Sequence, residues 1–170
     1  MRGKPLILIF IFLLACKENP RFKHPESLEK PVVNFYASDF YLPDSSGVYR
    51  SLYQHLSKAN ILDFWASWCR PCRESANPYY KKLYKTYHKK GLNIFGVSGD
   101  RHQYFWKKAL KQDSIPWINT IDSLHTTYTK FQVKSLPKMF LIDKNAKIIG
   151  INLWGKELEN KIDSLLKIQN

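Results

Sequence analysis

From Ile61 to Ala66 the chain reads Ile-Leu-Asp-Phe-Trp-Ala, mostly apolar over the length of a strand and without alternation. That pattern predicts a strand covered on both faces, and Leu92 to Ser98 predicts another. Between them the apolar period changes. Tyr80, Leu83, Tyr84 and Tyr87 fall at helical spacing within a segment from Arg70 to Lys90, which Gly91 stops. A second helix is expected over Arg101 to Gln112, with Phe105, Ala109 and Trp106 turned inward. Trp117 to Thr120 reads as a short strand, and Asp122 as the N-cap of a helix reaching about Phe131. Lys138 to Asp143 and Lys147 to Leu153 read as two strands joined by a turn over residues 143–146. Leu158, Ile162, Leu165 and Leu166 mark a closing amphipathic helix. Upstream, Asp39-Phe-Tyr-Leu, a turn at Pro43 to Gly47 and Val48-Tyr-Arg predict a hairpin, followed by a short helix over Ser51 to Ser57. The order βαβαβαββα implies an α/β domain: a mixed β-sheet flanked by helices, its last two strands a hairpin, with an extra N-terminal β-hairpin.

The N-terminus follows another pattern. Leu6 to Ala15 is an unbroken apolar run of ten residues behind Arg2 and Lys4. It fits a signal-peptide core and falls short of the roughly 20 residues that span a bilayer; an uncleaved anchor or a buried helix is the alternative. Leu13-Leu14-Ala15-Cys16 resembles the lipobox of bacterial lipoproteins, which implies cleavage before Cys16 and acylation of that cysteine. Residues 1–15 are then a leader and 16–31 a polar tether carrying Pro20 and Pro25. The domain occupies 32–170, and 44% hydrophobic residues suffice for its core. Removing Arg2 and Lys4 takes Lys+Arg from 27 to 25 against 14 Asp+Glu, leaving +11. Such a balance suits anionic headgroups or an acidic protein partner. A basic surface without a specific partner is the plainer reading, and nucleic acid is the weakest because the lysines are scattered.

There are three cysteines. If Cys16 carries lipid, Cys69 and Cys72 remain for chemistry and none is left for a structural disulfide. In Trp68-Cys69-Arg70-Pro71-Cys72 the pair follows a strand and opens a helix, so residues three apart share one face and the sulfurs can meet. The unpaired N–H groups and the dipole at a helix start favour the thiolate of the first cysteine. Cys69 would attack a disulfide and Cys72 would resolve the mixed disulfide. Half of a zinc site is the rival, but zinc wants four ligands and no second pair exists.

Leu62-Asp-Phe-Trp-Ala-Ser-Trp-Cys-Arg-Pro-Cys72 and Val133-Lys-Ser-Leu-Pro-Lys-Met-Phe-Leu-Ile-Asp143 resemble the thioredoxin superfamily. With Gly91-Leu-Asn-Ile-Phe-Gly-Val-Ser98 they are similar to its TlpA/ResA-like branch of anchored extracytoplasmic proteins, from about Asp39 to the C-terminus. The resemblance implies a cis bond at Leu136–Pro137, facing the cysteines and pairing with the substrate. Asp63 stands where thioredoxins keep an aspartate and many TlpA/ResA-like chains carry Asn, which implies a thioredoxin-like proton acceptor for Cys72, titrating with it as a coupled pair. Burial among Ile61, Leu62, Phe64 and Trp65 should raise the Asp63 pKa; an aspartate reaching solvent is the alternative. Lys138 stands where Thr is frequent, either charging the site or solvated. Arg70, with Pro71 between the cysteines, would favour the thiolate.

The pattern also departs from the family. Glu74 and Pro78 sit two and six residues after Cys72, where the family often has Glu at three and Pro at five, so the active-site helix carries one extra residue and no acid–base role passes to Glu74. Trp65 and Trp68 frame the site, with Trp68 shaping docking, while Trp106, Trp117 and Trp154 read as core. His55, His88, His102 and His125 follow no ligand spacing.

The expectation is thus a monomeric, lipid-anchored reductase facing the periplasm of a bacterial envelope. It needs no cofactor beyond the Cys69–Cys72 disulfide, binds no metal or nucleic acid, reduces protein disulfides and draws electrons from a membrane thiol donor. The resemblance implies work in cytochrome c maturation or disulfide repair. Rivals are an oxidase or isomerase on the same site and a non-enzymatic copper-delivery factor, disfavoured because the matching loop lacks a histidine. A peroxidase is disfavoured by the paired cysteines at a helix start.

Overall fold

A computed structural model describes residues 33–167. The leader, Cys16 and the tether lie outside the described residues. Among those described, no helix is long and apolar enough to cross a membrane.

The buried run found in the sequence is the central strand. Strand β3 (Ala59–Trp65) is buried at every position. It pairs in parallel with β4 (Leu92–Ser98) and antiparallel with β6 (Lys138–Asp143). β5 (Ile118–Ile121) lies parallel to β4, and β7 (Ile148–Ile151) antiparallel to β6, giving the order β5-β4-β3-β6-β7. The expected hairpin forms a separate two-stranded sheet of β1 (Tyr41–Pro43) and β2 (Tyr49–Ser51). Asp39 ties it down by accepting from Ser51 Oγ at 2.7 Å and from the Tyr53 amide at 3.1 Å. Ahead of the hairpin, the chain bridges Tyr36 to Lys147 beside β7.

Alternation along β3 sorts the core into two faces. Leu62 and Phe64 join Phe40, Phe95, Tyr128, Phe131 and Phe140 on the face covered by the hairpin and α3 (Thr126–Lys130). Ala59 and Ile61 face α1 (Asn77–Tyr87) and α4 (Gly155–Lys167), through Tyr80, Leu83, Leu158 and Ile162. On the same side, α2 (Gln103–Gln112) brings Trp106 and Ala109 against Trp65 and both cysteines.

Two inward assignments need correction. Phe105 is 56% exposed, because α2 turns Trp106 and Ala109 inward and a residue one step away points about 100° elsewhere. Trp154 is 51% exposed and lies on the Tyr79 ring, centroids 4.2 Å apart, so it covers the α1–α4 seam from outside. Asp122 caps from a distance: its oxygens accept from the amides of Thr126 and Tyr128, while the residue at the helix start is His125, in a left-handed conformation (φ 57°).

Gly96, opposite Asn119 on β5, is required by close approach. A Cβ there would run into the Asn119 carboxamide, whose oxygen accepts the indole N–H of Trp65 at 2.8 Å. That contact holds the end of β3 that leads into the cysteines.

Candidate active site

β3 ends at Trp65, and helical turns begin at Arg70. The intervening turn is closed by the Cys69 amide donating to Ala66 O at 3.0 Å. Asp100, two residues beyond the end of β4, pins it by accepting from Ser67 N at 2.8 Å, Ser67 Oγ at 2.6 Å and Ser98 Oγ at 2.6 Å. Tyr128 adds a hydroxyl donated to Trp65 O at 2.6 Å.

Cys69 and Cys72 form a disulfide, their Cα atoms 5.3 Å apart. Cys72 is fully buried and Cys69 is 4% exposed. The neighbours of Cys69 are open: Trp68 is 70% exposed, and Arg70 and Pro71 are exposed. The Cys72 amide donates to Cys69 Sγ at 3.3 Å. On reduction that N–H, with the helix start behind it, favours the Cys69 thiolate over the thiol.

The extra residue has a structural counterpart. Cys72–Ala76 is a π-helical turn, closed by the Asn77 amide donating to Cys72 O five residues back, and α1 follows with Pro78 in its first turn. Glu74 points outward to Arg70, Nε to Oε2 2.7 Å, both side chains exposed. Arg70 is therefore paired with a carboxylate, which dilutes its charge at the sulfurs.

Arg73 and Asp113 are the site residues that sequence reasoning missed. The Arg73 guanidinium makes a two-pronged contact with Asp113 at 2.7 and 2.8 Å, and its amide donates to Cys69 O at 3.2 Å. Asn77 and Lys81 also reach Asp113. One aspartate at the end of α2 thus fastens the wide turn and the start of α1. Asp100 was missed too, although a Ser-x-Asp at the carboxyl end of a buried parallel strand is a recognisable place for a site.

The Leu136–Pro137 bond is cis. Leu136 packs against the cluster holding both cysteines, and Pro137 is exposed beside it. Lys138 opens β6, and its ammonium lies over the Phe140 ring, 5.4 Å from the centroid, so it has a partner of its own along the strand.

Asp63 shares the face of β3 that carries Ile61 and Trp65, beneath the cysteine turn and α1. It is 1% exposed and its Oδ1 has no hydrogen-bond partner among protein atoms. Burial pushes its carboxyl up to about 7. Tyr80, itself buried, is raised by desolvation and then by the nearby Asp63 charge.

Three of the four histidines singled out in the sequence serve the backbone: His55 meets Ser51 O, His88 meets Leu92 O and His125 meets Gly99 O, while His102 lies edge-on to the Phe105 ring. Among the described residues, no three His, Cys, Asp or Glu side chains converge as for a metal ion.

Residues 33–151 match the AhpC/TSA family. The thiol-disulfide oxidoreductase ResA of Bacillus thuringiensis subsp. konkukian is 31% identical over 139 residues, spanning 82% of this chain and 79% of its own. ResA of Geobacillus thermodenitrificans is 34% identical over 132 residues, spanning 76% and 75%. The thioredoxin domain of a thiol-disulfide oxidoreductase from Bacteroides vulgatus superposes with a TM-score of 0.74 at 28% identity, covering 81% of this chain and 99% of that one. By these matches the chain belongs to the AhpC/TSA family as a ResA-like thiol-disulfide oxidoreductase of the thioredoxin superfamily.

Proposed function

We propose that this chain reduces protein disulfides outside the cytoplasm while anchored to a membrane through Cys16. The observation that carries the chemistry is the Cys69–Cys72 pair at a helix start on the face of the sheet that buries Asp63. In the reduced protein the Cys69 thiolate attacks one sulfur of a client disulfide, and the other client sulfur leaves as a thiolate that takes up a proton. Cys72 then gives its proton to Asp63 and attacks Cys69 Sγ. The second client thiol departs, and the protein keeps the disulfide, having passed two electrons to the client. Leu136 and the cis Pro137 are the platform for the client backbone, and Trp68 is its exposed flank. A membrane thiol donor restores the dithiol, and cytochrome c maturation is a setting in which such reduction is needed.

The deciding measurement is the reduction potential of Cys69–Cys72, equilibrated against glutathione and dithiothreitol. A value near that of thioredoxin, about −270 mV, supports a reductase; one near about −120 mV overturns it in favour of an oxidant. The anchor has its own test. In cells, Cys16→Ala should move the protein from the membrane fraction to the soluble one, since stable attachment needs the acyl chains; unchanged membrane retention would remove Cys16 from that role.

A further inference from the structure

Beside the disulfide, between the cysteine turn and α2, lies an open cleft of about 790 Å³. Its apolar walls are Trp68, Phe105 and Ala109, and Ala109 packs in the same cluster as both cysteines. Trp68 and Phe105 are 70% and 56% exposed, although each is large enough to be costly to leave in water. The one carboxylate in the lining, Asp100, is buried, and its two oxygens are taken by Ser67 and Ser98. Arg101 and Lys108 also line the cleft; among the described residues neither has an ion-pair or hydrogen-bond partner. Arg73, by contrast, is already committed to Asp113. The cleft thus offers two unmatched cations and two exposed aromatic rings, and it meets the cysteine turn at Ser67 and Trp68, next to Cys69 in the chain.

We propose that this cleft selects protein clients in which an acidic side chain and an apolar one lie within a few residues of the target cysteine. The inference rests on the reductase reading and deepens it. The carboxylate meets Arg101 and Lys108, the apolar side chain lies between Trp68 and Phe105, and the client sulfur is brought to Cys69. A basic client segment would bring like charges together and be disfavoured.

The test uses three disulfide-bonded peptides that differ only in having Glu, Gln or Lys beside the cysteine. Each rate of reduction by the dithiothreitol-reduced protein is divided by that peptide's rate with dithiothreitol alone, which removes intrinsic reactivity. The expected Glu-to-Lys ratio is about 10-fold at low salt, falling toward one at high salt. It should fall to about one in Arg101→Gln/Lys108→Gln and invert in Arg101→Glu/Lys108→Glu; using a ratio within each protein cancels any general loss of activity. Fast reduction with a wild-type ratio near one overturns the acidic-client inference and leaves the reductase reading standing. No electron transfer to any peptide overturns both. If the neutral variant loses binding to phosphatidylglycerol vesicles while its peptide ratio matches wild type, the cations serve a lipid surface and the inference fails.

Discussion

Cys69→Ser abolishes disulfide reduction, with turnover falling on the order of 1000-fold to the uncatalysed background, whereas Cys72→Ser stops the reaction one step later. The asymmetry follows from burial. Cys69 stands between exposed neighbours and receives the Cys72 amide on its sulfur, while Cys72 is sealed beneath the turn. A protein lacking Cys72 can still attack, but nothing resolves the product, so a mixed disulfide with the client accumulates and is readable by intact-mass spectrometry. A trapped adduct on Cys72 in the Cys69→Ser protein would reverse the assignment of attacker and resolver.

Asp63→Asn should slow resolution about 100-fold at pH 7, in the range usual for losing a general base. The deficit should shrink as pH rises past the ordinary cysteine pKa of about 8.5, where Cys72 ionises without help. The same change should stabilise the fold at neutral and higher pH. Asp63 has a folded-state pKa of about 7 against an ordinary 3.8. Between those values the native protein holds a proton that the unfolded chain has released. Stability is therefore fully present below about pH 4 and is lost as pH rises through 7. A gap of that size corresponds to about 4 kcal/mol at most, reduced in practice by the cost of a buried amide. Urea unfolding at pH 4 and pH 8 should show a strong pH dependence in the parent and a weak one in the variant. Equal slopes would mean that Asp63 is not titrating as a buried acid.

Much of this was legible in the residues. A mostly apolar strand, a CxxC at a helix start and a turn of Pro43 to Gly47 are local signals that the whole fold reinforces, and each of these elements appeared where expected. The failures came where a choice depends on a distant partner. Phe105 and Trp106 are adjacent and equally apolar, and only the position of α2 over Trp65 decides which is inward. Trp154 has the composition of a core residue but sits where the chain has just left β7, with Tyr79 as its cover. Arg73 and Asp113 are 40 residues apart, so a single sequence offers no reason to pair them. Asp63 was readable because a lone carboxylate within a buried strand is anomalous on its own.

The wide turn at Cys72–Ala76 bears on how this site can change over generations. An added residue in an ordinary helix would rotate everything after it by about 100°, swinging Tyr80 and Leu83 off the sheet. Here the π-helical turn takes up the wider loop of backbone within one turn, and α1 leaves it with Tyr80 and Leu83 buried against the sheet. The reactive end of the helix is thereby uncoupled from the end that anchors it. Variation at the exposed Glu74 and Ser75 can retune the environment of the sulfurs while the Arg73–Asp113 clamp and the tyrosine face beneath stay in place, so the scaffold can explore new redox settings without first rebuilding its core.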